Sequence, residues 1–519
     1  MTDAAQAPII ITVRAVLRGV NGAGVAEVIE NAGIAVRDGM IVDIGDADSV
    51  IAANPGVRIQ AQPGSIAMPG LVNAHHHSGI TPLQLGVPFN PLELWLPRFM
   101  GMRSVDPRLD TLYSAIEMLE SGTTTVQHIQ GGTYGPPESW RGPANSIISA
   151  YGEIGMRVSY SFMIRDQNQL VFEGDEAFLS TLPYDLAEYF QPRLRASLAP
   201  ISQLMTFFVE MKREWEARDP NAVRIQLAPA NLHWCSDAAL TEIFDTARTH
   251  DVKLHLHLDE TASQADYARG RTGKSAVSHL ADLGLLGPDL TIGHGIWAGE
   301  KDLDLLAQHQ CCLCHNPSSG LRLASGIAPI NAARRRGIRV ALGIDQCGVN
   351  DDRDMLQEMR VAWMLHREPG LFRDRPNAID IFKMATQHGA ATTGFEKNIG
   401  RLDIGLGADI VLIDWKSVSE PYLDQRTSLI DALLHRAKAR SIDKVYVCGQ
   451  LVVDAGRVCR IDRDGLMSEI AEALNRPRTT SESEALAMTD QLIPRVEAYY
   501  RSRGATTSAT GYAFNQMIS

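Results

Sequence analysis

Between Pro69 and about Gly394 the chain repeats one pattern, a short apolar run followed by a stretch with helical spacing or turn residues. The runs are TTTVQHI, RVSYSFMI, RASLAP, VRIQLAP, VKLHLHL, LTIGHG, CCLCHNP and VALGID. Strands that alternate with helices in this way favour a parallel α/β architecture, because parallel neighbours need a crossover between them. The length suits eight such units closed into a (β/α)8 TIM barrel, and periodicity alone leaves an open sheet in play.

The flanks read differently. Residues 1–68 look like short strands broken by turns: IIITVRAVL, AVRDGMIVDIG with an Asp38-Gly39 hairpin signal, and VRIQAQPGSIAMPG. The same style returns after residue 394 in ADIVLIDW and DKVYVCGQLVVDAGRV. We therefore expect a small antiparallel β domain assembled from 1–68 and 395–460, a barrel at 69–394, and a helical extension at 461–519. A helical tail of this kind suits a subunit contact or a cover for its own barrel equally.

Composition narrows the partners. A formal charge of −12 opposes general affinity for nucleic acid or anionic membrane, both of which reward dense positive charge. Seven cysteines, odd in number and sparse, fit reduced thiols rather than a disulfide framework. No run of eighteen uninterrupted apolar residues occurs, and the N-terminal segment has no basic stretch followed by a long apolar one. The expectation is a soluble, cytoplasmic protein with a small-molecule substrate.

Four separated segments close on metal-binding chemistry. Residues two apart in a strand point the same way, so in PGLVNAHHHSG His75 and His77 share a face and His76 takes the other. VKLHLHLDET sets His255, His257 and Asp259 on one face, with Glu260 at the strand end. LTIGHG contributes His294 and VALGIDQ contributes Asp345. Neutral imidazole and carboxylate are the ligands of catalytic zinc-type sites. At the carboxyl ends of parallel strands they would converge on one mouth. A single histidine closing a run is commonplace; this ordered set, with fourteen of fifteen histidines between Pro69 and Ala390, argues for a metal site. His76 and His255 read as structural or supporting residues. Cys311, Cys312 and Cys314 lack a second spaced pair and read as core. The basic run Arg334 to Arg336 reads as a solvated helix face.

The chain resembles the amidohydrolase superfamily, and within it the branch of guanine deaminase, S-adenosylhomocysteine deaminase, cytosine deaminase and triazine hydrolases. The resemblance runs from about Ile9 to Val458 through MPGLVNAHHH, ESGTTTV, HLHLDET, IGHG, HNPSSGLRLASGIAPI, VALGID, ATQHGAATTGF, IGRLDIGLGADIVLID and KVYVCGQLVVDAGRV, in family order. It implies a (β/α)8 barrel joined to a β-sandwich made by both chain ends, and commonly a homodimer or larger homo-oligomer. It implies one divalent metal, zinc first and iron(II) as the alternative, held by His75, His77, His257 and Asp345. No lysine stands after strand four, in RIQLAPANLHW, where two-metal members carry a bridging one. In the implied reaction a metal-activated water attacks a ring carbon of a nitrogen heterocycle. Asp345 takes the water's proton, Glu260 shuttles a proton to the ring and the leaving amine, and His294 stabilises developing charge. Cleavage of an amide, urea or carbon-halogen bond at the same site is the rival reading, and a catalytically silent relative is another.

The chain departs from its relatives in loops that face substrate. Pro317-Ser318-Ser319-Gly320 lacks the amide many carry there, Ala230-Asn231 replaces a histidine, and Gln346-Cys347-Gly348 follows Asp345. Candidate pocket residues are Gln84, Trp95, His128, Asn231 and Trp234, each on a loop or strand end. For Trp95, in PLELWLPRF, packing is the simpler role.

Overall fold

The computed structural model describes residues 7–133 and 135–503. Seventeen strands build it. The first four are β1 (Ile9–Val20), β2 (Ala26–Arg37), β3 (Met40–Asp46) and β4 (Arg58–Pro69), and the last four are β14 (Ile410–Asp414), β15 (Ile442–Val447), β16 (Gln450–Asp454) and β17 (Arg457–Val458). These eight form one sheet in the order β17-β16-β15-β14-β4-β1-β2-β3, so both flanks of the sequence do share a β unit. The sheet is mixed rather than antiparallel: β1 runs parallel to β4, because the helix Ala47–Ala53 carries the chain back across the sheet before β4 starts. Two-residue turns at Asp38-Gly39 and Ala455-Gly456 sit at positive φ, as tight hairpins of this type require.

Strand β1 is buried on both faces. Ile9, Ile11 and Val13 pack with Ile34, Ile410 and Leu412, while Ile10 faces Val50 of the covering helix. Strands at opposite ends of the sheet thus contribute to one core, and Ile41 N donates to Leu406 O next to β14.

The middle of the chain supplies parallel strands. β5 (Leu71–His76), β6 (Thr123–Gln130), β7 (Arg157–Ile164) and β8 (Val223–Ile225) form one set, with β9 (Ala228–Pro229) beside β7. β10 (Leu254–Leu258), β11 (Leu290–His294), β12 (Cys312–His315) and β13 (Arg339–Leu342) form the other. Backbone hydrogen bonds join the two sets at both borders. His255 N donates to Leu227 O at 3.0 Å, and Asp345 N donates to His75 O at 2.8 Å. The carboxyl ends of β5, β10, β11 and β13 therefore open on one side, which is where the polar residues of the sequence pattern lie.

One expected strand is absent. RASLAP holds the end of a helix, Tyr184–Ala196, and the loop before the next, Ile201–Arg218. Leu186, Phe190 and Leu194 are its buried residues. They recur every four positions, a helical stripe that outweighs the short apolar reading of the run. The last described helices are Arg463–Asn475 and Thr480–Arg503; residues 504–519 of the expected extension lie outside the described residues. No described helix is long and apolar enough to cross a membrane.

Candidate metal centre and active-site cavity

Strand alternation delivers the expected pair. His75 and His77 face inward, whereas His76 turns away and bonds Asp345 O at 3.3 Å and Ser114 Oγ at 3.2 Å. The Nε2 atoms of His75, His77 and His257 form a triangle with sides of 3.0, 3.2 and 3.1 Å. Asp345 Oδ1 lies 3.4 Å from His77 Nε2 and 3.9 Å from His75 Nε2. His77 Nδ1 donates to the carbonyl of Ile129 at 2.8 Å, so its Nε2 carries a lone pair. His75 and His257 are buried beside one another and His77, His255 and His294, which holds both well below the usual imidazole range and therefore neutral. Three imidazole nitrogens at such separations, with a carboxylate beside them, form a cluster of the kind that holds a metal ion. The donor set fits a zinc-type divalent ion.

The remaining acid-base residues stand against this group. His294 Nε2 lies 3.8 Å from Glu260 Oε2 and 3.9 Å from Asp345 Oδ2. Burial pushes His294 down to about 4, so the ring is neutral at pH 7. Asn316 Nδ2 donates to its Nδ1 at 3.3 Å, which leaves the proton on Nε2, an atom with no hydrogen-bond partner among the described residues. That N–H is free to donate to a reacting group. Glu260 is buried, with Asp345 and Glu93 adding negative charge nearby, and its carboxyl is raised well above the usual range. Such surroundings favour the protonated form of a carboxyl. Asp345 Oδ2 accepts from Ser319 Oγ at 2.7 Å, which turns the other oxygen toward the histidines. Both His294 and Asp345 sit at positive φ, 71° and 65°, a strained backbone of the sort found where strand ends aim functional side chains.

These residues form the floor of a cavity of about 770 Å³. Its wall includes Trp95, His128 and Trp234, along with Glu93, Arg165, Phe172 and Tyr500. Gln84 and Asn231 are not among its lining residues. Gln84 is exposed and caps Thr81 N. Asn231 is buried and donates to Gln264 Oε1 at 3.0 Å, an oxygen that also accepts from Glu260 N at 2.9 Å. Asn231 thus steadies the backbone of Glu260 rather than meeting the cavity.

The model of the amidohydrolase family matches residues 66–452. The chain belongs to the amidohydrolase family. Its match to the 5-methylthioadenosine/S-adenosylhomocysteine deaminase of Syntrophobacter fumaroxidans is 28% identical, covering 84% of this chain and 91% of that one. A 5'-deoxyadenosine deaminase of Methanosarcina acetivorans is 27% identical over 86% of this chain and 93% of its own. Among solved structures, an adenosine deaminase from Xanthomonas campestris with bound zinc superposes with a TM-score of 0.75 at 24% identity, over 91% of this chain and 98% of that one. The atrazine chlorohydrolase of Arthrobacter aurescens, complexed with zinc, gives 0.77 at 20% identity, over 89% and 99%. These two likenesses concern the fold.

Several supports of the amidohydrolase site were not found by reading the sequence: Asn316, Ser319, Gln264 and the carbonyl of Ile129. Ser319 stands in the segment marked above as lacking an amide, and Asn316 lies just before it. The basic run Arg334 to Arg336 is a network of surface ion pairs with Glu300, Asp304, Asp374 and Asp380. Cys311, Cys312 and Cys314 are buried, and all seven cysteines are free thiols.

Proposed function

We propose that this amidohydrolase is a zinc-dependent aminohydrolase that removes the exocyclic amine of an adenine-type nucleoside as ammonia. The observation that carries the proposal is the convergence of three histidine Nε2 atoms and Asp345 beneath a cavity that also presents Glu260 and His294. The naming of the deaminase relatives supports the amine as leaving group and the nucleoside as substrate. A volume near 770 Å³ lies in the range of sites for drug-sized ligands.

In this reading His75, His77, His257 and Asp345 hold the zinc ion. Bound there, zinc lowers the pKa of a water molecule toward neutrality, which supplies a nucleophile at pH 7. Asp345, fixed by Ser319, accepts one of the water's protons. Glu260 delivers its proton to the ring nitrogen beside the attacked carbon, takes the remaining proton of the added hydroxyl and passes it to the amine, which leaves as ammonia; the proton on Asp345 then restores Glu260. His294 donates its Nε2 hydrogen to the oxygen added at that carbon. Trp95, His128 and Trp234 flank the bound heterocycle.

The wider architecture follows the same proposal. The two parallel sets, joined at both borders, constitute an eight-stranded (β/α)8 barrel at residues 69–394, with β8 and β9 counted as one broken strand. The β unit of 1–68 and 395–460 acts as a sandwich through the bending of one sheet around the core shared by β1, β2 and β14. The protein works in the reducing cytoplasm as a homo-oligomer.

The deciding experiment is ammonia release from a panel of adenine, guanine, cytosine, pterin and triazine compounds, before and after chelation and zinc readdition. Adenine-type nucleosides should turn over, chelation should abolish the activity, and zinc should restore it. No ammonia from any compound, or activity indifferent to chelation, would sink the proposal.

A further inference from the structure

A metal-binding histidine is commonly held in its tautomer and ring plane by a partner for its second nitrogen. His77 uses a main-chain carbonyl. His75 uses another imidazole: its Nδ1 lies 2.8 Å from His255 Nε2, and both rings are buried. His255 sits two residues before His257 on β10, so strand alternation places it on the same face, one layer below.

We propose that His255 is a positioning residue for the metal centre, acting as a neutral hydrogen-bond acceptor that keeps His75 in its metal-binding tautomer. The inference rests on the metal-centre reading above. The bonding leaves one arrangement. His75 Nε2 must carry a lone pair toward His77 and His257, so its proton is on Nδ1 and is donated downward. His255 Nε2 must accept it, which puts the proton of His255 on Nδ1. That Nδ1 is buried without a partner among the described residues, a cost the fold bears to keep an acceptor under His75. An imidazole does this without adding negative charge, whereas a carboxylate there would offset part of the charge of the ion above.

Room for the pair is built into β11. A Cβ added at Gly293 would lie 3.0 Å from His255 Nε2 and 3.3 Å from His75 Cε1. The glycine between Ile292 and His294 therefore clears the space in which the two rings meet, and its φ is not in the left-handed region that would call for glycine on its own account. Two independent features, an acceptor and a gap, serve one hydrogen bond.

The test is zinc affinity of the purified full chain, read by competition against a graded chelator series with metal per chain measured directly, alongside circular dichroism. His255→Leu should weaken zinc affinity by about 10- to 100-fold, the usual range for losing such a partner. His255→Gln, whose side-chain oxygen can still accept, should stay within a few-fold of the parent. His255→Asn, one methylene shorter, and Gly293→Ala should fall with the Leu variant. If a folded Leu, Asn or Ala variant holds zinc as the parent does, the positioning role is overturned, even while the parent's metal centre stands. A merely structural role is equally overturning: it would lower the melting temperature of the metal-free variants and leave zinc affinity unchanged. A parent chain that takes up no zinc would instead remove the metal centre itself, and this inference with it.

Discussion

At the scale of single residues the proposed site divides into groups that would hold a metal and groups that would move protons, and the two can be separated by substitution. Glu260 faces His294 rather than the triangle of ligands, so Glu260→Gln should retain zinc near one per chain while turnover falls by about 10²- to 10⁴-fold, the span of general acid-base catalysis. Metal analysis beside an ammonia assay checks both halves. Ser319→Ala frees the Asp345 carboxylate to rotate and leaves one oxygen without its donor. The expected result is a drop in kcat of about tenfold or more with little change in KM, since no contact with substrate is removed. The clustering of His75, His77, His257 and Asp345 was legible because a period of two and a position at the end of an apolar run are local properties. Asn316 and Ser319 were not, because their partners His294 and Asp345 are more than twenty positions away in sequence and become neighbours only when β11, β12 and β13 lie side by side.

Elements aim these residues, and one short helix shows how. Pro317–Arg322 carries Ser319 to Asp345, and its start is held by Glu358, whose carboxyl accepts from Ser318 N at 2.8 Å and from Ser318 Oγ at 2.5 Å. Glu358 is wholly buried, and desolvation raises it from 4.5 to about 7. The folded state thus keeps the proton that the unfolded chain loses near pH 4.5. The stability linked to this group is complete below that pH and is lost as pH rises through 7. Two to three pKa units correspond to about 3 kcal/mol. Glu358→Gln, neutral at every pH, should flatten the fall in melting temperature between pH 5 and pH 8; a slope identical to the parent's would show that the carboxyl is not the cause. At this scale RASLAP misled because six residues, four of them apolar or proline, span fewer than two helical turns and show no helical stripe of their own. The stripe Leu186, Phe190 and Leu194 that decides the matter begins upstream of the run.

For the whole molecule the question is what keeps the sheet of the chain ends in register with the strands that carry the site. One buried ion pair joins the two directly, beside the apolar cluster they share. Arg157, at the start of β7, donates from Nε to Asp409 Oδ2 at 2.8 Å and from Nη2 to Oδ1 at 3.0 Å, with both side chains only 2% and 3% exposed. Asp409 immediately precedes β14, its carboxylate also accepts from Cys448 N, and its carbonyl accepts from Gly70 N between β4 and β5. One residue thus ties the two halves of the flanking sheet to the parallel strands. A buried pair of this sort stabilises little against an apolar replacement, yet removing one member strands the other charge, at a loss of about 3–5 kcal/mol. Asp409→Leu and Arg157→Met should each lower the melting temperature sharply. The double variant Arg157→Met with Asp409→Leu should recover much of the loss, because no uncompensated charge remains. Matched thermal scans decide it. Losses that simply add would mean that the two residues act separately, and the joint between the sheet and the site would have to be sought in the apolar contacts around Val411 and Ile442 instead.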